Sequence, residues 1–223
     1  MKTPTLIVNL KIYENALGLN ALRFCEYASK LMHEYDVGVY VAVNPIDIRL
    51  CVKKFREVVF SQNADTVGYG AKTGHISIDV LYNLGVKGTL INHSEFKINH
   101  SIIREVVDTA NKRGIYTVVC ADSVTELEKM INLGIKPTMF AIEPPELIGT
   151  GRSVSKYKPE TVINAVKLCN NNGINVLCGA GVSNADDVKA AINLGVAGVL
   201  VASGIVKSSD PYNVMESMIK AML

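Results

Sequence analysis

Eight short apolar runs punctuate the chain, at 5–10, 37–43, 58–62, 88–92, 115–120, 138–142, 175–178 and 198–201. Most are continuous rather than alternating, the pattern of strands covered on both faces. Helical periodicity separates the later runs. Leu127, Met130 and Ile131 fall on one face, as do Met215, Met218, Ile219 and Met222. That methionine stripe reads as core packing, because its spacing is what a buried helix face requires. Helices are also expected between 14 and 35 and between 46 and 57. The motif Asn83-Leu84-Gly85-Val86 returns at Asn132-Leu133-Gly134-Ile135 and Asn193-Leu194-Gly195-Val196, each copy closing a helical stretch before an apolar run. Gly114 and Gly173 occupy the same place. Glycine accepts the left-handed conformation that ends a helix, so the chain turns at once into a strand. Ser123 with Glu126 predicts a capping box, and Ser183 with Asp186 an acidic variant of it. Pro159 and Pro211 suit first helical turns.

Eight strands alternating with about eight helices predict an α/β fold with a parallel sheet. Right-handed crossovers either close such a sheet or leave it open and doubly wound. Regular alternation to the last residue favours the closed (β/α)8 barrel. Nothing divides the chain, so residues 1–223 read as a single catalytic domain.

Composition narrows the function classes. A net charge of +2 with 20% charged residues, and no block of like charges, argues against nucleic-acid or membrane-surface binding. No apolar run approaches the ~18 residues of a membrane span. Residues 1–10 lack the pattern of a secretory signal, which predicts a cytoplasmic protein. Five cysteines, Cys25, Cys51, Cys120, Cys169 and Cys178, form no CxxC and are read as reduced thiols. Cys51 and Cys169 are assigned simple burial. The four histidines show no HxxxH spacing, and no metal site is expected.

In a barrel, catalytic groups gather where the strands end, and the opposite ends serve stability. The C-terminal ends carry Asn9 and Lys11, Asn44, Gln62 and Asn63, His93-Ser94-Glu95, Cys120, Glu143, Gly179-Ala180-Gly181 and Ala202-Ser203-Gly204. The last two groups are small residues whose backbone N–H groups can approach a phosphate closely. A carboxylate, an imidazole and an ammonium beside a phosphate pocket suit proton transfer next to a carbonyl.

At these residues the chain resembles the triosephosphate isomerases, TIM barrels. The resemblance is carried by Asn92-His93-Ser94-Glu95 and by Ala141-Ile142-Glu143-Pro144-Pro145-Glu146-Leu147-Ile148-Gly149-Thr150-Gly151. Asn9-Leu10-Lys11, Gln62-Asn63, Thr73-Gly74 and 198–204 extend it over the whole chain. It implies an aldose-ketose isomerase that interconverts dihydroxyacetone phosphate and D-glyceraldehyde 3-phosphate in glycolysis and gluconeogenesis, with no cofactor. By the same resemblance Glu143 is the base and His93 a neutral electrophile kept uncharged by a short helix starting after it. Lys11 offsets negative charge, and Asn9 positions substrate. Residues 144–154 look like the lid, with Ile148 pressing on the base opposite Leu200. Gly149, Gly181, Ala202 and Ser203 would receive the phosphate. Glu95 and Cys120 would support the centre from behind.

Glu146 stands where an aromatic residue is often found, Gly181 replaces a serine, and the region 96–115 is short. These departures resemble the archaeal branch, which favours a homotetramer over a dimer. Two other readings are open on residue types alone. A Schiff-base aldolase would need a lysine within a late strand. A non-catalytic sugar-phosphate sensor would need no base at position 143.

Overall fold

The computed structural model describes residues 1–147 and 153–223. Among them eight strands pair in sequence order, β1-β2-β3-β4-β5-β6-β7-β8, and close into a barrel. The chain begins with β1 (Thr5–Asn9), a 3-10 turn (Glu14–Ala16), α1 (Leu19–Tyr35), β2 (Gly38–Val43), α2 (Ile48–Phe55) and β3 (Val59–Ser61). It continues through α3 (Ile78–Leu84), β4 (Gly88–Ile91), α4 (His100–Arg113), β5 (Tyr116–Ala121), α5 (Val124–Asn132) and β6 (Met139–Ile142). After a 3-10 turn (Pro145–Leu147) come α6 (Val154–Tyr157), α7 (Pro159–Asn171), β7 (Asn175–Cys178), α8 (Ala185–Asn193), β8 (Gly198–Val201), α9 (Ser203–Val206) and α10 (Pro211–Lys220). No helix of the described residues is long and apolar enough to cross a membrane.

The unbroken apolar runs follow from two buried faces. Along β1, Ile7 points into the barrel with Tyr40, Phe60, Leu90, Val118, Met139, Leu177 and Leu200. Leu6 and Val8 point outward into the layer shared with the helices, beside Ala28, Leu31, Met215, Met218 and Ile219. The methionine stripe is therefore core. Each fully buried aliphatic side chain contributes roughly 1.5–3 kcal/mol, and these two layers supply most of what holds the ring together.

Closure falls on Gly198, paired with Thr5 across β1 and β8. Its φ is +149°, and a Cβ there would lie 1.9 Å from the Thr5 carbonyl oxygen. Only glycine lets the two backbones meet. The glycines of the recurring motif behave as expected, Gly85, Gly134 and Gly195 having φ of 87°, 76° and 90°.

Some boundaries differ from the sequence reading for local reasons. β1 stops at Asn9, because Lys11 turns left-handed. The third strand is only three residues long. Beyond it the Gln62 amide donates to the Ala42 carbonyl at 3.2 Å, beside the backbone N–H of Leu10 at 3.1 Å. Ser123 caps α5 by accepting the Glu126 N–H at 3.2 Å, but Glu126 returns its carboxylate to the Asp122 N–H at 2.6 Å. The cap assigned to Ser183 and Asp186 is displaced by one residue. Asn184 caps α8 through the Asp187 N–H at 3.0 Å, because Ser183 is committed to the Asp187 carboxylate.

Candidate active site

The strand ends are shaped so that three side chains project into one cavity. At the end of β1 the Asn9 side-chain oxygen accepts the Lys11 N–H at 3.0 Å. Lys11 is left at φ 47°, uncommon for a residue with a Cβ. Gln62 holds it there by donating to the Lys11 carbonyl at 2.9 Å. Unfavourable backbone persisting under such restraint is a mark of functional positions. The ammonium reaches the Glu95 carboxylate at 2.7 Å, with 13% of the Lys11 side chain exposed against 56% for Glu95.

After β4, Asn92 also adopts a left-handed conformation, with φ 59°. Its amide donates to the Cys120 carbonyl at 3.0 Å and to Glu126 at 3.3 Å, and its oxygen accepts the Ile98 N–H at 3.1 Å. Behind it Lys97 bridges Glu126 at 3.0 Å and Asp122 at 2.8 Å. Burial alone would raise the Glu126 pKa. The Asp122 N–H, Lys97 and Asn92 outweigh it and hold the carboxylate below its usual range. This network fixes the turn that carries His93.

His93 is buried, and its Nδ1 accepts the Glu95 N–H at 3.2 Å. In the neutral ring the proton then sits on Nε2, the nitrogen facing the cavity. No helix follows His93, contrary to the sequence expectation. Residues 94 and 95 form a turn closed by the Phe96 N–H on the His93 carbonyl at 2.8 Å, and α4 begins only at His100. The Asn92 side chain claims the Ile98 N–H, so the chain stays non-helical there, and a single backbone N–H sets the tautomer.

Glu143 is the first residue beyond β6, its N–H still bonded to the Ala121 carbonyl at 2.9 Å. Pro144 biases it toward extended backbone and away from a helical turn. The carboxylate is buried, and its Oε2 has no hydrogen-bond partner among the described residues. That oxygen lies 3.7 Å from His93 Nε2. An unsatisfied buried acceptor is rare and asks for an explanation. Burial, followed by the nearby Glu143 charge, pushes the Cys120 thiol well above its ordinary range. Cys178 is pushed up to about 12, first by burial and then by Glu143. Both thiols are neutral walls near neutral pH. Gly179 leaves the carboxylate its room, since a Cβ there would lie 2.7 Å from Glu143 Oε1.

Asn9, Lys11, His93, Glu143, Gly181, Ala202 and Ser203 all line one cavity of about 400 Å³. Leu200, Val182, Ser183, Tyr13 and Lys207 complete much of its wall. Glu95 lines an adjoining, more apolar cavity of about 860 Å³. Cys120 lies behind Glu143 on β5, inside the strand rather than beyond it. Ile148 and Gly149 lie outside the described residues. Glu146, in the 3-10 turn, pairs with Lys158 just before α7, so the polar residue has an ionic partner where an aromatic one is often found. No three His, Cys, Asp or Glu side chains of the described residues cluster as a metal site.

Sequence reading did not find Tyr13 or Lys207. The Lys207 ammonium sits 5.1 Å from the Tyr13 ring centroid, joining the loop after β1 to the segment after α9. The only available signal was their nearness to Lys11 and to the small-residue run at 202–204. The Asn92–Glu126–Lys97 network was equally hidden, because Glu126 on α5 lies about thirty residues from Asn92 and Lys97 in the loop after β4.

The family model for triosephosphate isomerase matches residues 4–222. This chain belongs to the triosephosphate isomerase family. A triosephosphate isomerase of Thermoplasma volcanium is 42% identical over 97% of this chain and 99% of its own length. One from Pyrobaculum islandicum is 40% identical, covering 100% and 97%, and one from Methanocaldococcus jannaschii 38%, covering 96% and 98%. The crystal structure of triosephosphate isomerase from Bartonella henselae superposes with a TM-score of 0.79 over 98% of each chain, at 15% identity, and supports the fold. The chain is an isomerase of triose phosphates, interconverting dihydroxyacetone phosphate and D-glyceraldehyde 3-phosphate.

Proposed function

We propose that Glu143, His93 and Lys11 carry this isomerisation. Glu143 takes the proton from the carbon beside the substrate carbonyl and returns it to the neighbouring carbon. His93, neutral with its proton on Nε2, polarises the carbonyl and moves protons between the two oxygens of the enediolate. Lys11 offsets the negative charge of enediolate and phosphate, and Asn9 positions the reacting end. Gly181, Ala202 and Ser203, with Gly149, offer backbone N–H groups to the phosphate. Glu95 fixes Lys11 and the His93 tautomer, and Cys120 supports the base. Residues 144–154 act as a lid, with Ile148 closing over Glu143 and excluding water.

One observation carries the reading. A buried carboxylate oxygen with no hydrogen-bond partner among the described residues faces an imidazole Nε2 across 3.7 Å, in a cavity whose wall also holds an ammonium. A coupled assay on Glu143→Gln tests it. The expected result is a fall in kcat by several powers of ten, with glycerol 3-phosphate still bound. A variant that kept most of its activity would remove Glu143 from the role.

The cytoplasm is the proposed compartment for this step of glycolysis and gluconeogenesis. Five free buried cysteines suit a reducing environment. A homo-oligomer is part of the same reading, a tetramer favoured over a dimer. Ile12, Ile46 and Phe96 are 77%, 81% and 57% exposed around the apolar cavity beside Lys11, and residues 68–75 form an exposed loop. Light scattering that returned a monomer of 24.2 kDa at micromolar concentration would exclude assembly.

A further inference from the structure

Asp187 is the third residue of α8 and has only 5% of its side chain exposed. Burying a carboxylate is costly unless several partners compensate it. Its partners come from two segments other than its own helix. Oδ2 accepts both the backbone N–H and the hydroxyl of Ser183, each at 3.0 Å. Oδ1 pairs with the Lys156 ammonium at 2.7 Å. The Asp187 carbonyl accepts the Ser155 hydroxyl at 3.2 Å, and that hydroxyl lies 2.6 Å from the buried Ser153 hydroxyl. The Val154 N–H reaches the Ala180 carbonyl at 3.2 Å. A helix cap alone would not need this, because Asn184 already satisfies the Asp187 N–H.

What Asp187 grips is the wall of the active cavity. Residues 180–183 and 202–204 both line it. The two loops meet backbone to backbone, since a Cβ on Gly204 would lie 2.8 Å from the Ser183 Cα. Ser183 is therefore clamped between Asp187 and Gly204, and any shift of Ser183 displaces the small-residue wall. We propose that Asp187 is a positioning residue for the phosphate end of the substrate, tying the loop after β7 to residues 155 and 156, just beyond the lid, through Ser183, Ser155 and Lys156. It touches no substrate itself. The inference rests on the proposed phosphate role of Gly181, Ala202 and Ser203.

Asp187→Asn tests it, because an amide keeps the volume but faces Lys156 without charge. Three quantities are read: kcat/KM for D-glyceraldehyde 3-phosphate, the inhibition constant of glycerol 3-phosphate, and the slow isomerisation of D-glyceraldehyde, which carries no phosphate. We expect about a tenfold weaker glycerol 3-phosphate affinity, with kcat/KM falling by a similar factor mainly through KM. D-Glyceraldehyde turnover should fall by no more than about threefold. Lys156→Met should weaken glycerol 3-phosphate binding in the same direction, and its effect should not add fully to that of Asp187→Asn. Unchanged binding in a folded Asp187→Asn variant, or equal losses on both substrates, would overturn the proposal. If Asp187→Asn does not fold, Lys156→Met decides by the same measurement, and unchanged affinity would again overturn it. A wild-type protein that fails to bind glycerol 3-phosphate would instead refute the underlying phosphate assignment.

Discussion

Gly179→Ala places a single methyl group where the structure leaves no room for one. The added Cβ would stand 2.7 Å from Glu143 Oε1, 2.9 Å from its Cγ and 3.1 Å from its Cδ. Ordinary contact begins near 3.4 Å, so the carboxylate must move by about 0.7 Å. The Gly179 backbone does not require positive φ, and what must yield is the end of a side chain. The barrel is therefore expected to fold, with a melting temperature within a few degrees of the parent. Catalysis is expected to suffer, because a misplacement of order 1 Å costs roughly 100-fold in rate. We expect kcat to fall about 10- to 100-fold, equivalent to about 1.4–2.7 kcal/mol of lost transition-state stabilisation. Glycerol 3-phosphate affinity should change less than threefold, since the methyl is aimed at the base. The coupled assay and a competitive inhibition series suffice. A folded Gly179→Ala enzyme with kcat within threefold of the parent would show that the carboxylate is not set by this contact.

Other perturbations follow from the packing and the charges. Gly198→Ala should fail to give folded protein, because a Cβ 1.9 Å from the Thr5 carbonyl blocks closure between β1 and β8; soluble expression with a normal circular dichroism spectrum would contradict this. Glu126 has a folded-state pKa below its ordinary value, so its stabilisation is present above the unfolded pKa and is lost as pH falls through the folded one. Glu126→Gln should lower stability near pH 7 by about 1.5–3 kcal/mol, the worth of hydrogen bonds to a charged group. It should also flatten the loss below pH 4.5, and denaturant midpoints taken across pH check both. All five cysteines are free and buried. A thiol reagent such as Ellman's should react with almost none in native protein and with all five after denaturation; rapid reaction of Cys120 or Cys178 in the native state would refute their burial beside Glu143.

The chain alone determined the eight-strand alternation and the helix-ending glycines. Those features rest on local physics, the two-sided burial of a parallel strand and the left-handed preference of glycine, and each is written within a few residues. The rim residues Lys11, His93 and Glu143 were legible for a related reason, since a polar residue just past an apolar run marks a strand end. Tertiary structure decided how they meet. The left-handed Lys11 depends on Gln62, just past β3, and the His93 tautomer on a turn held by Asn92 and Glu126 from separate segments. The shifted cap of α8 arose because Ser183 is drawn to Asp187, whose carboxylate is held in turn by Lys156, which lies beyond β6. The contacts Gln62–Lys11, Asn92–Glu126 and Lys156–Asp187 join residues about 30 to 50 positions apart, where no periodicity or local preference records them, and only the closed ring brings them within hydrogen-bond reach.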